Sequence, residues 1–458
     1  MPVATDPLLA PLADRRPTVE RVARLPAGFA AAGATAGIKA SGTPDLALIV
    51  ASNGPVPAAA ITTPNRFAAA PVRLSRANLS ETGGSAATAG RARAVIATSG
   101  SANAATGPAG DADQVEIGEA VATAIGCSPA EVLHLSTGVI GTRLPVDRVR
   151  ATVARVAGAG LAATDAALEA AAIALRTTDT TTKVATASVD APAAGGGTVT
   201  VTVSGIAKGV GMIHPRMATM LSVLLTDATA DPRTLRELLA GAAATTWNQL
   251  SVDGDTSTND TVVLLASGMA GAADAADDGA ARAALSGAIE AVARDLARQQ
   301  AADGEGATAL ITCQVSGATD DADARGIARA IVASQLVKAA VHGRDPNWGR
   351  VAGAAGNAVV ADDAILEAAG MTAADAAART ARPASVDPAR MRIAIAGHLV
   401  YDGSTGGPVP GDKAVVREAM GGDEVLIRVD VGLADGTGEA FGCDLTEGYV
   451  RENSEYTT

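Results

Sequence analysis

A mixed α/β fold is the expectation for this 458-residue chain. Runs of β-branched and aliphatic residues alternate along it with alanine-rich stretches of helical spacing. Hydrophobic residues make up 48% and charged residues only 19%, which supplies sizeable cores and argues against a disordered chain. Aromatics amount to 2%, so those cores must be aliphatic and closely approached. The length leaves room for two or three domains.

In chain order, LALIVAS (46 to 52), AVIATS (94 to 99) and EVLHLS (131 to 136) read as strands bounded by turn residues. Between the last two, Asp111 or Asp113 caps a helix in which Ile117, Val121 and Ile125 recur on one face, with Gly126 at its end. TVTVTVS (198 to 204) alternates most cleanly, and PAAGGG (192 to 197) before it is a hairpin turn or surface loop. MLSVLLTDA (220 to 228) is a second apolar strand. Helices are expected at 231 to 246, 281 to 300 and 321 to 335, and strands at 261 to 266, 308 to 316, 391 to 396 and 424 to 430. The segment from 362 to 388 is alanine-rich, weakly patterned and reads as an insertion.

A formal charge of −13 and so few aromatics disfavour a nucleic-acid partner. Cys127, Cys313 and Cys443 are far apart and form no CxxC, which fits a reducing, cytoplasmic setting. The four histidines are dispersed, so no metal site is expected. The longest uncharged stretch, 46 to 65, is broken by Asn53, Gly54, Pro55 and Pro57 and is no membrane helix. DGDTSTND (253 to 260) lacks the glycine and glutamate of a calcium loop and reads as a polar turn supporting a site. In DPNWGR, Trp348 and Arg350 read as packing residues.

The chemically informative stretch is GIAKGVGMIHPRMATMLSVLLTDA (205 to 228), where a glycine-rich turn and a proline interrupt two strands. On spacing alone, Thr219 is a packing residue, STG (136 to 138) a turn, and Lys208 and Glu305 solvated loop residues. Taken in order, however, GFAAAGATAGIKASGTPDLALIV, TSGSANAATG, STGVIGTRLP, RTTDT, KGVGMIHPRMATML, SVDGDTSTNDTV, DGEGAT, DPNWGRVAGAAGNA and CDLTEGYVRENSEYTT resemble the ornithine acetyltransferase (glutamate N-acetyltransferase, ArgJ) family over nearly the full length.

The resemblance implies a two-domain, mixed-sheet α/β sandwich of the N-terminal-nucleophile-like type. It implies self-cleavage between Ala218 and Thr219 into an alpha chain (1–218) and a beta chain (219–458), assembled as two of each. Thr219 becomes the nucleophile, and Thr137 and Gly138 form the oxyanion hole. Thr177, Lys208, Thr219, Glu305, Asn453 and Thr458 bind substrate. The reaction implied moves an acetyl group from N2-acetylornithine to glutamate through an acetyl-threonine, giving ornithine and N-acetylglutamate for arginine biosynthesis. No cofactor is implied, and acetyl-CoA is a co-substrate only in bifunctional members. Ser101 and Ala105 stand where the family often has Asn and Cys, and Ala309 where lysine is usual. The alternatives are a hydrolase or aminopeptidase on the same scaffold, an acetyltransferase of secondary metabolism, and an inactive binding relative.

Overall fold

The computed structural model describes residues 6–9, 16–83, 88–214, 220–360 and 382–455. Helices and sheets alternate in layers, as the succession of apolar patterns leads one to expect. Helices Gly107–Ile125 and Val146–Ala159 cover one face of a four-stranded sheet ordered Phe29–Ala34, Leu46–Ala51, Ala94–Ser101, Val132–Val139. Helices Ala70–Gly83 and Asp165–Leu175 pack on its other face and share a core with a seven-stranded sheet.

That sheet is ordered Val19–Glu20, Lys183–Pro192, Thr198–Lys208, Leu221–Thr226, Thr261–Ala266, Val56–Thr62, Ala89–Ala92. Leu221–Thr226 and Thr261–Ala266 run parallel and are buried at every position, so their unbroken apolar runs suit strands covered on both faces. The strand period divides them between two cores: Val223 and Leu225 face the four-stranded sheet, whereas Leu224 faces helices Pro232–Thr245 and Gly279–Ala302. Beyond the second of these helices lies another seven-stranded sheet, which includes Leu250–Ser251, Gly436–Cys443, Leu310–Ala318, Glu424–Asp430 and Arg392–Ile395. Its far face has a separate core under helices Asp321–Ala333, Gln335–His342 and Trp348–Gly356. Trp348 stacks on Tyr401 with ring centroids 4.7 Å apart, a packing role as expected. No described helix is long and apolar enough to cross a membrane.

The expected strands and helices are present, with bounds shifted by a few residues. PAAGGG is the loop of a hairpin joining Lys183–Pro192 to Thr198–Lys208. The helix expected from Asp111 instead starts at Gly107 behind Thr106, with a proline in its first turn. Asp113 therefore lies inside the helix, where it is buried and paired with Arg143 at 2.5 Å. Strands Phe29–Ala34 and Val56–Thr62 escape the pattern because alanine, a poor strand former, fills them. Most of the 362 to 388 segment lies outside the described residues; Arg382–Pro383 pairs with Val359–Val360.

Small residues allow the close layering. A Cβ on Gly33 would lie 2.0 Å from the Ala170 carbonyl oxygen on the helix above. Gly33→Ala should therefore push sheet and helix apart and lower stability by about 1–3 kcal/mol. A urea midpoint unchanged from the parent would overturn this reading.

Candidate active site

Strands Ala94–Ser101 and Val132–Val139 are parallel, and their register breaks at Gly100 and Ser101, opposite Thr137 and Gly138. Gly138 has φ +125°, and a Cβ there would sit 2.4 Å from the Gly100 carbonyl carbon. Only glycine fits so close to the neighbouring backbone. STG is thus the end of a strand and not a turn. Thr137 is buried, and its Oγ1 accepts a hydrogen bond from Lys208 Nζ at 3.2 Å. Lys208 ends its own strand and pairs with Leu221, so the two strands diverge into the 209–220 connection beside Thr137.

Thr137, Gly138, Thr177, Lys208, Glu305 and Asn453 line one cavity of about 110 Å³. These residues come from five separate parts of the chain. Ala218, Thr219 and Thr458 lie outside the described residues. Thr178 and Met212 also line the cavity, as do Ser257, Thr258 and Asn259 of the 253 to 260 turn expected to support a site. Ala309 is not among the lining residues; it packs against the C-terminal core, and its N–H donates to Asp444 at 3.0 Å. Ser101 Oγ donates to the Thr142 carbonyl at 2.7 Å, and Ala105 occupies a positive-φ turn position.

The electrostatics centre on two buried lysines. Lys183 Nζ donates to Asp179 at 2.7 Å and to Asp303 at 2.5 Å, all three side chains being buried. Asp179 also accepts the Gly209 N–H at 2.8 Å and the Thr177 N–H at 3.1 Å. Burial alone would raise the Asp179 carboxyl, but Lys208, Lys183 and the Gly209 N–H outweigh it and hold it well below the usual carboxylate range. Burial lowers the Lys208 ammonium, opposed chiefly by Asp179. The lysine that lines the cavity is thus desolvated, with Asp179 as its chief opposing charge.

Glu305 lines the same cavity, where its Oε1 accepts from Thr178 Oγ1 and its Oε2 from Asn453 Nδ2, each at 3.0 Å. The C-terminal helix Glu447–Glu455, which carries Asn453, is held by Thr446 Oγ1 donating to the Gly306 carbonyl at 2.6 Å. It is also held by His342, which lies 3.1 Å from Asp444 and 3.3 Å from Glu447.

The 253 to 260 loop supports the site, as its polar composition suggests. Asn259 Nδ2 donates to the carbonyls of Ala102 at 2.7 Å and Ser136 at 2.8 Å, tying two cavity walls together. Asp253 accepts the N–H groups of Met212 and, at 2.8 Å, Ile213. Burial pushes the Asp253 carboxyl up to about 6, against the pull of the Asp255, Met212 and Ile213 N–H groups. His214 Nδ1 lies 3.1 Å from Ser251 Oγ.

Comparison with known proteins adds four matches. The model of the ArgJ family matches residues 30–458. The arginine biosynthesis bifunctional protein ArgJ of Thermosynechococcus vestitus is 44% identical over 94% of this chain and 96% of its own length. Its counterpart in Thermus thermophilus is 42% identical over 95% and 99%. Among solved structures, an ornithine acetyltransferase from Mycobacterium tuberculosis complexed with ornithine is 39% identical, covering 43% of this chain and 97% of its own, with a TM-score of 0.37.

Two outcomes are expected. Lys183→Met leaves Asp179 and Asp303 buried without their cation, and should cost about 3–5 kcal/mol in urea unfolding. The Asp253 carboxyl has a folded value of about 6 against 3.8 for the free group. The folded protein therefore holds that proton more tightly, and the stability it contributes is full below about pH 4 and is lost as pH rises through about 6. Asp253→Asn should flatten that part of the stability profile, and a profile identical to the parent's would refute the assignment.

Proposed function

The chain belongs to the ArgJ family, and on that premise we propose that it is a self-processing acetyltransferase of arginine biosynthesis. It moves the acetyl group of N2-acetylornithine to glutamate through an acetylated Thr219. The observation that carries this reading is the convergence of Thr137, Gly138, Thr177, Lys208, Glu305 and Asn453 on one small cavity. Lys208, which pairs with Leu221 two residues after Thr219, ties that cavity to the connection bearing the proposed cleavage bond.

In the maturation step, the Thr219 hydroxyl attacks the Ala218 carbonyl, the amide becomes an ester, and water releases two chains of 218 and 240 residues. The freed α-amine has an ordinary pKa of roughly 7.7–8, so a useful fraction is neutral near physiological pH and accepts the hydroxyl proton during acyl transfer. When the hydroxyl attacks the acetyl carbonyl, negative charge collects on its oxygen. Thr137 Oγ1 is already held by Lys208, which leaves its own proton to donate to that oxyanion beside the Gly138 N–H. Ornithine leaves, and glutamate takes the acetyl group in a second pass over the same donors.

Recognition follows from charge. Lys208, dehydrated and cationic, suits the α-carboxylate of either amino acid, and Glu305 suits the amine of ornithine. Thr177 and Asn453 border the same space and offer polar groups to the substrate backbone. The relatives' description as bifunctional extends the proposal to acetyl-CoA as a second acetyl donor. A cytoplasmic location and an assembly of two alpha and two beta chains belong to the same reading, and the three unpaired cysteines fit the former.

On a denaturing gel the parent should give two fragments, one with the N-terminal sequence Thr-Met-Leu, and it should transfer acetyl from N2-acetylornithine to glutamate. Thr219→Ala should remain a single 44.9 kDa chain without transfer. Scission of that variant at Ala218 would refute Thr219 as the nucleophile. Lys208→Met should raise KM for both amino acids at least about tenfold.

A further inference from the structure

Gly211 belongs to none of the roles above, although it lines the cavity three residues after Lys208. A Cβ built on it would lie 2.2 Å from Glu305 Oε2 and 2.5 Å from Glu305 Cδ. The carboxylate therefore rests directly on the Gly211 backbone, in the space that any other residue's side chain would fill. Two hydrogen bonds keep it there, from Thr178 Oγ1 to Oε1 and from Asn453 Nδ2 to Oε2. The Glu305 N–H donates to the Val210 carbonyl at 2.8 Å, which ties the two segments together at the backbone as well.

The conformation of Gly211 does not itself call for glycine. Its φ lies outside the left-handed region, whereas Gly209 in the same turn has φ +138°. The three atoms nearest to an added Cβ all belong to the Glu305 carboxylate. That group ends a flexible side chain and can swing away. The glycine is thus required by where the charge sits and not by the path of the chain.

We propose that Gly211 is the positioning residue for Glu305: its missing side chain seats the carboxylate, and so sets how well the site takes an amino acid with a cationic side chain. The two amino acids of the reaction differ at the side-chain end, an amine in the donor and a carboxylate in the acceptor. Only the amine is drawn to Glu305, so displacing the carboxylate weakens recognition of the donor and spares the acceptor. The inference rests on Glu305 meeting the donor's amine, as proposed above.

In a ping-pong reaction kcat/KM for each substrate reports its own half-reaction. Gly211→Ala should fold and process, with kcat/KM for N2-acetylornithine lowered at least about tenfold and that for glutamate within about twofold of the parent. Glu305→Gln should show the same asymmetry, and adding Gly211→Ala to it should lower the donor's value by less than about twofold more, because both act through one carboxylate. An equal loss for both substrates, an unchanged donor value, or losses that multiply in the double variant would overturn the proposal. So would a Gly211→Ala chain that fails to fold, since the carboxylate and not the backbone is to give way. If Glu305→Gln itself leaves the donor unaffected, the assignment of Glu305 to the amine falls and takes the proposal with it. If only Gly211→Ala does so, that assignment stands and the role of Gly211 alone is rejected.

Discussion

A cation with almost no access to water sets the terms for this molecule. Lys208 is buried at the end of a strand, and an ammonium can remain charged there only if opposite charge is built around it. Asp179 supplies that charge, but it would itself be unpaired without Lys183, which also needs Asp303. Two lysines and two aspartates thus form a balanced set with Lys208 at the cavity wall. The hairpin strands, the 176–183 connection and the end of the Gly279–Ala302 helix must all meet for the set to exist. Chain geometry far from the cavity is fixed by this requirement.

Neutrality at rest has a functional side. A buried anion added next to Lys208 meets a cation that already has a counter-charge behind it, so attraction to a carboxylate is moderate and reversible. Glu305, which lines the same cavity, is held by two neutral donors, Thr178 and Asn453. The cavity wall thereby carries a lysine and a glutamate together.

Much of the scaffold was legible because periodicity and turn chemistry are local. Thr261–Ala266 and Glu424–Asp430 fall where their apolar runs end, and PAAGGG is a hairpin loop because its glycines allow the reversal. Alanine-filled strands were not legible, since alanine is equally at home in a helix and its burial here is decided by neighbouring layers. At the site, Thr137, Gly138, Lys208, Glu305 and Asn453 stood out through resemblance; taken singly each looked idle. Asp179 and Lys183 passed unnoticed because their significance is burial, and a sequence shows a charged residue without showing what surrounds it; the 253 to 260 turn was legible as a support, though not the burial of its Asn259 and Asp260. Lysine occurs at only five positions in the chain, a usable signal for Lys208 that applies equally to Lys183 and Lys338, both wholly enclosed.

The strand Leu221–Thr226 lies between Thr198–Lys208 and Thr261–Ala266 in one sheet. A break in the 209–220 connection would leave every one of those ladder bonds in place, so the native molecule would look the same before and after. The molecularity of its renaturation would change. An intact chain unfolds to one molecule, but a cut one unfolds to two unlike molecules that must find each other again. Dilution would then weaken a protein whose contacts were untouched, and recovery from denaturation would become a bimolecular encounter. Cleavage in such a sheet acts as a ratchet: folding precedes it, and the folded state is thereafter harder to regain than to keep.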